Sequence, residues 1–162
     1  MGRGALKIGL ISDTHGLLRP EAFAALEGCA HIIHAGDIGS RAGKSNGVLD
    51  ALAGIAPLTV VRGNSDRADW AADIPYAAEL EFAGVRIHVL HILGDLAFDP
   101  VASGVRVVVS GHSHKPCVET RHGVLYVNPG SAGPRRFRLP VTVARLHVAD
   151  GRARAELVTL LE

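Results

Sequence analysis

Two carboxylates, one amide and four imidazoles stand at the ends of apolar runs in this 162-residue chain: Asp13, His15, Asp37, Asn64, His91, His112 and His114. Mixed nitrogen and oxygen donors suit Mn²⁺, Fe²⁺, Co²⁺, Ni²⁺ or Zn²⁺, whereas Mg²⁺ and Ca²⁺ favour oxygen alone. Seven donors exceed the needs of one tetrahedral ion. If one carboxylate bridges, they supply four ligands to each of two ions and leave positions for water and substrate. That is the composition of a two-metal hydrolase, whose ions lie about 3.5–4 Å apart. Taken singly, each residue has a plainer reading. Asp-x-His is a common surface turn, and Gly36-Asp37 and Asn64 pass as turn residues. His112-Ser113-His114, between an apolar run and Pro116, is more specific. The joint occurrence, each member ending a strand, is what points to a metal centre.

The elements that must position these groups follow from the hydrophobic pattern. Residues 6–11 read as a buried strand ending in Ser12-Asp13-Thr14-His15. In extended backbone, residues i and i+2 point the same way. Asp13 and His15 are therefore expected to project together past the carboxyl end of the strand, where open α/β sheets keep their ligands. A short helix over 19–26 has Pro20 at its first position. Residues 31–35 form a second strand ahead of Gly36-Asp37, a helix follows over 47–53, and 57–61 form a third strand ahead of Arg62-Gly63-Asn64. Strands alternating with helices imply parallel pairing. Beyond residue 77 the pattern changes to hairpins, at 78–82 with 85–90, at 117–120 with 124–127, and at 141–148 with 155–160. A short helix is expected within 95–103 and another buried strand over 105–110. The fold class is α/β, with two mixed sheets packed as a sandwich flanked by helices, parallel strands first and antiparallel strands later. A single mixed sheet is the competing arrangement. Residues 1–162 read as one domain.

Composition narrows the function. The net charge of +1, with neutral histidines, gives no general electrostatic reason to bind nucleic acid or a membrane surface. Arg135, Arg136 and Arg138 gather late, as a solvated loop or as a rim that attracts phosphate. Two cysteines, Cys29 and Cys117, have no zinc-ribbon or disulfide spacing. No apolar segment approaches the ~20 residues needed to cross a bilayer, and no signal peptide is evident. The expected location is the cytoplasm.

Ser-Asp-Thr-His at 12–15, Ala-Gly-Asp at 35–37, Arg-Gly-Asn-Ser-Asp at 62–66, Gly-His-Ser-His at 111–114 and Asn-Pro-Gly-Ser at 128–131 occur in that order. The set resembles the calcineurin-like metallophosphoesterase superfamily, and within it the small single-domain bacterial and archaeal phosphodiesterases, from residue 6 to about residue 160. The resemblance implies that Asp13, His15 and His114 hold one ion and that Asn64, His91 and His112 hold the other, with Asp37 bridging. It implies catalytic work for Asp37, Asn64 and His91, and two divalent transition-metal ions, manganese first, with Ni, Co, Fe or Zn as alternatives. The implied reaction is hydrolysis of a small phosphodiester by water or hydroxide activated between the metals. Relatives form dimers or tetramers, which leaves a homo-oligomer open.

The chain departs from the family pattern twice. Relatives read His-Gly-His where this chain has His91-Ile92-Leu93-Gly94-Asp95, so one imidazole is missing and His88 becomes a rival to His91. Ser65 stands where larger members place a histidine that protonates the leaving group. Alternatives are a phosphomonoesterase on the same centre and a protein-interaction scaffold of the same fold, as in a retromer subunit. A nuclease fits less well, given the near-neutral charge. Arg62 and Asp66 flank Asn64 and read as orienting groups or as ion-pair members. Ser131 reads as a hydroxyl donor near the site, and Trp70 and Tyr76 as core, with lining of the substrate mouth as the alternative. His31, His34, His122 and His147 read as ordinary strand or turn histidines.

Overall fold

The computed structural model describes residues 5–136 and 138–161. Strand β1 (Leu6–Ile11) leads through α1 (Pro20–Leu26) to β2 (His31–His34), then through α2 (Val48–Ala53) to β3 (Leu58–Val60). Hairpin β4 (Ala77–Phe82) and β5 (Val85–Leu90) follows, then β6 (Val107–Val109), hairpin β7 (Cys117–Arg121) and β8 (Val124–Asn128), and finally β9 (Val141–Ala149) and β10 (Arg152–Leu161). One sheet has the order β10-β9-β1-β2-β3 and the other β4-β5-β6-β8-β7.

The strand sequences explain the layers. Ile8 and Leu10 of β1, Ile33 of β2 and Leu146 and Val148 of β9 face Val85, Ile87 and Val89 of β5 and Val107 and Val109 of β6 in one buried cluster. This alternation at period two is what a sheet buried against another sheet requires. On the other face of the first sheet, Ile11, Ile32 and Val143 pack under Ala22, Ala25 and Leu26 of α1 and Val48 and Leu52 of α2. Cys29 is buried in the same cluster.

Three expectations are corrected. No α-helix covers the outer face of the second sheet among the described residues. Leu93, Leu96 and Phe98 cover Leu90, Val105, Val108 and Val124 instead, and residues 95–103 form a 3-10 end and turns, with buried Pro100 inside the segment. The later strands are not all antiparallel, because β5–β6 and β6–β8 pair in parallel. The branched residues of β6, buried on both faces, suit a central parallel strand. The last hairpin is longer than its apolar run, since β10 begins at Arg152. Its turn uses Asp150 and Gly151, both at positive φ.

Candidate metal centre

The β1–β2 ladder continues beyond the strands. Asp13 N–H donates to Gly36 O at 2.9 Å, His15 N–H to Asp37 O at 3.0 Å, and Gly16 N–H to Ile38 O at 2.7 Å. These bonds set the first two motifs side by side. The convergence does not come from extended backbone, as the spacing suggested. Asp13, His15, Asp37, His112 and His114 all have positive φ, between 46° and 72°. Asp and His enter this left-handed region more readily than other non-glycine residues, yet each such residue costs on the order of 1 kcal/mol or more. The turns hold because their N–H and C=O groups are bonded across to neighbouring loops.

All seven side chains singled out in the sequence meet at this end of the sandwich. Asp13, His15 and His114 form one group and Asp37, His91 and His112 another, with the ligand atoms of each group within 4.8 Å of one another. Asn64 joins the second group, its Oδ1 3.1 Å from His112 Nδ1. His114 Nε2 lies 3.4 Å from Asp13 Oδ1, and His15 Nε2 lies 3.9 Å from both Asp13 Oδ1 and Asp37 Oδ2. His91 Nε2 lies 3.2 Å from Asp37 Oδ2. Asp37 Oδ2 therefore faces both groups, while Asp37 Oδ1 accepts the Ser65 N–H at 3.0 Å. Asp13 is held in the same way, its Oδ2 accepting from the Ser12 hydroxyl at 2.6 Å and the His112 N–H at 3.1 Å.

The hydrogen bonds show which lone pairs the centre offers. His91 Nδ1 donates to Ala35 O at 2.7 Å, which leaves Nε2 as a lone pair in the neutral ring. That lone pair points at a carboxylate. Asp13 Oδ1 and His91 Nε2 are buried without a hydrogen-bond partner among the described residues. Acceptors facing acceptors call for a cation or a proton between them. The 3.2 Å His91–Asp37 and 3.4 Å His114–Asp13 separations match the ~3–3.4 Å edge of a four- or six-coordinate ion with bonds of about 2.1 Å, while the others are wider at 3.9 Å. Burial opposes a charged His91, but the Asp37 contact and the Asp13 charge outweigh it and raise its pKa. Burial would raise the Asp37 pKa, yet the His91 contact and the Ser65 N–H hold the carboxyl far below the ordinary carboxylate range. Burial keeps His15 neutral, lowering its pKa. The donor set fits metal ions.

The surroundings answer the remaining sequence questions. His88 lies outside both groups, its Nδ1 3.1 Å from Glu79 Oε2 and its ring edge-on to Phe98. Leu93 packs in the outer cluster of the second sheet. Asp66 makes no ion pair among the described residues; its carboxylate accepts the N–H groups of Asp37, Ile38, Gly39 and Gly63 at 2.9–3.2 Å. Arg62 also pairs with no carboxylate among the described residues, bonding Ile74 O and lying 4.7 Å over the Tyr76 ring. Tyr76 is 67% exposed, against the expectation of core packing, whereas Trp70 does pack in the helical cluster. The Ser131 hydroxyl donates to the Asp13 carbonyl at 3.0 Å. Asn128 Nδ2 donates to Gly111 O at 3.0 Å, bracing the His112 turn.

Sequence reasoning missed His34 and the close-approach glycines. His34 is fully buried, accepts the Gly36 N–H at Nδ1 and contacts the Thr14 hydroxyl at Nε2, both at 3.0 Å. A side chain at Gly63 would run into the Asp37 carboxylate, and one at Gly36, where φ is +103°, would lie 2.7 Å from His91 Nδ1. The available signal was a histidine inside an apolar run just ahead of Gly-Asp, and a glycine in each motif.

Residues 6–151 match the model of the calcineurin-like phosphoesterase superfamily domain. The chain is similar to a probable metallophosphoesterase from Methanocaldococcus jannaschii, with 31% identity over 98% of this chain and 84% of that protein. Among solved structures, an archaeal phosphodiesterase aligns with a TM-score of 0.70 at 21% identity, covering 94% of this chain and all of that one. Vacuolar protein sorting 29 from Cryptosporidium parvum aligns at 0.74 and 17%, covering 98% and 99%. At such identity the two structures speak for the fold alone. The family match and the archaeal relative go further: this chain belongs to the calcineurin-like phosphoesterase superfamily.

Proposed function

We propose that the protein is a metal-dependent phosphodiesterase that hydrolyses a small phosphodiester at a dinuclear centre. The observation that carries this reading is the lone pair of His91 Nε2, 3.2 Å from Asp37 Oδ2 and fixed there by the Nδ1–H bond to Ala35. Asp13, His15 and His114 would hold one ion and Asn64, His91 and His112 the other, with Asp37 facing both groups and able to serve both. Manganese is the first candidate, and Fe²⁺, Co²⁺, Ni²⁺ and Zn²⁺ suit the same donors. Two divalent ions held there lower the pKa of water and offset charge developing on a phosphoryl group.

The protein's own residues do the positioning. Ser65 N–H and Ser12 Oγ–H hold the outward oxygens of Asp37 and Asp13, so the inward oxygens keep fixed directions. Asn64 is exposed at the mouth and reaches the centre through its amide oxygen, leaving its NH₂ able to donate to a phosphoryl oxygen. Ser65, exposed beside it, is a poor proton donor near neutral pH. Diesters with good leaving groups are therefore the favoured substrates.

The test is hydrolysis of bis(4-nitrophenyl) phosphate and 4-nitrophenyl phosphate by metal-stripped protein with each ion restored separately. Diester turnover that returns with Mn²⁺ and exceeds monoester turnover supports the reading. Faster monoester turnover moves the assignment to a phosphomonoesterase, and binding of metal without either activity moves it to a scaffold.

A further inference from the structure

An arginine-lined cavity of about 440 Å³ opens directly beside the proposed centre, and its wall includes His15 and Asn64 together with Arg41, Arg67 and Arg136. No carboxylate lines it among the described residues. Arg121 and Arg145 pair with acidic side chains, but no such partner is found for Arg41, Arg67 or Arg136 among the described residues. In a chain whose overall charge is only +1, three unneutralised guanidinium groups around one cavity are a local excess.

The loops that carry these arginines are anchored. Trp70 Nε1 donates to Gly43 O at 2.7 Å, Ser40 N–H donates to Lys44 O at 2.8 Å and Asn46 Nδ2 donates to Gly16 O at 3.2 Å, which fixes the Arg41 loop against the β1 turn. On the opposite side, Arg19 donates to Gly133 O at 3.2 Å and Leu139 N–H donates to Arg136 O at 3.1 Å. Arg67 donates to Asn64 O at 3.3 Å. Three separate segments thus bring charged tips to one opening.

We propose that this cavity is a subsite for a second anionic group of the substrate, a terminal phosphate on one substituent of the diester. The proposal rests on the phosphodiesterase reading and deepens it. A diester phosphate has one negative charge, which the metal centre takes up, so three guanidinium groups remain for something else. A guanidinium presents a planar fork that matches phosphate oxygens, and several forks around one cavity suit a dianion better than a neutral group. The substrate class is a small phosphodiester with a distal phosphomonoester.

The experiment compares thymidine 5′-(4-nitrophenyl phosphate) with its 3′-phosphorylated counterpart, which share the reacting phosphorus and the leaving group. With metal restored, the wild-type protein is expected to favour the 3′-phosphorylated compound at least tenfold in kcat/KM, mainly through KM. In Arg41→Ala combined with Arg136→Ala the ratio falls to within twofold of one. Equal kcat/KM values in the wild type, or a ratio that survives the double substitution, overturn the subsite. If neither compound is hydrolysed, the phosphodiesterase reading fails. The subsite is then decided by calorimetric titration of metal-loaded protein with thymidine 3′,5′-bisphosphate and thymidine 5′-monophosphate. At least fivefold tighter binding of the bisphosphate, lost in the double variant, upholds it; equal binding overturns it.

Discussion

His34 Nε2 lies 3.0 Å from Thr14 Oγ1, and this contact ties the loop after β1 to the end of β2 directly beneath the metal-ligand candidates. The direction of the bond is fixed on both sides. Gly36 N–H donates to His34 Nδ1, so the ring proton sits on Nε2 and is donated to Thr14, whose hydroxyl donates to Ile38 O at 2.9 Å. A protonated His34 could not accept from Gly36, and the chain of bonds would break where Asp13, His15 and Asp37 are set.

This gives a pH dependence with a definite sign. Burial lowers the His34 pKa from 6.5 to about 4. The folded state therefore binds fewer protons than the unfolded state between these values, and stability is full above about pH 6.5 and falls as pH drops toward 4. The shift corresponds to on the order of 3 kcal/mol, about 2 of them already lost at pH 5. Urea unfolding of metal-stripped protein at pH 7.5 and pH 5 is expected to show this loss. His34→Asn, which keeps an acceptor for Gly36 N–H without titrating, is expected to show a smaller one. An equal loss in both proteins contradicts the assignment to His34.

Asp66 provides a second test. Its carboxylate is the acceptor for four backbone N–H groups in the loops carrying Asp37 and Asn64. Each buried donor left without a partner costs about 1–3 kcal/mol, and a misplaced support weakens metal binding about 10–100-fold. Asp66→Ala is expected to lose at least about 3 kcal/mol of stability and to bind Mn²⁺ more weakly, with Asp66→Asn in between. A thermal melt and a metal titration read both effects. An Ala variant with wild-type values in both measurements removes Asp66 from the account.

Ser65 sets the leaving-group dependence. No imidazole stands at this position, and the Ser65 backbone N–H donates to Asp37. A positioned general acid contributes about 10²–10⁴-fold for poor leaving groups. The protein is expected to turn over an aryl diester at least about a hundredfold faster than an alkyl diester of equal size, and Ser65→His to narrow that gap. Equal rates for the two substrates in the wild type would show that another group protonates the leaving oxygen.

Much of the architecture was legible because one signal, an apolar strand ending in polar and glycine residues, recurred from residue 6 onward. Both helices and the hairpins followed from that alternation, which allowed two packed sheets or a single mixed one; the family resemblance favoured the two packed sheets. Residues 95–103 form no helix because Leu96 and Phe98 make separate apolar contacts over the second sheet and Pro100 stands inside the segment. The parallel β5–β6–β8 pairing was hidden because order within a sheet depends on crossovers, which local pattern does not report. At the site, residue types carried the seven candidate ligands. The left-handed backbone at Asp13 and His15, the support from His34 and the four-donor cradle of Asp66 were not visible, since each depends on contacts between loops distant in sequence.

The central claim is a dinuclear centre shared through Asp37. It is tested most directly by counting metal ions per chain and measuring aryl diester hydrolysis on the same Mn²⁺-restored samples of wild-type protein and Asp37→Asn. The account predicts about two ions and turnover in the wild type. In the variant it predicts loss of at least one ion and a fall of about a thousandfold or more in kcat. Two ions and undiminished turnover in Asp37→Asn, or a wild-type protein that binds no metal, would contradict it.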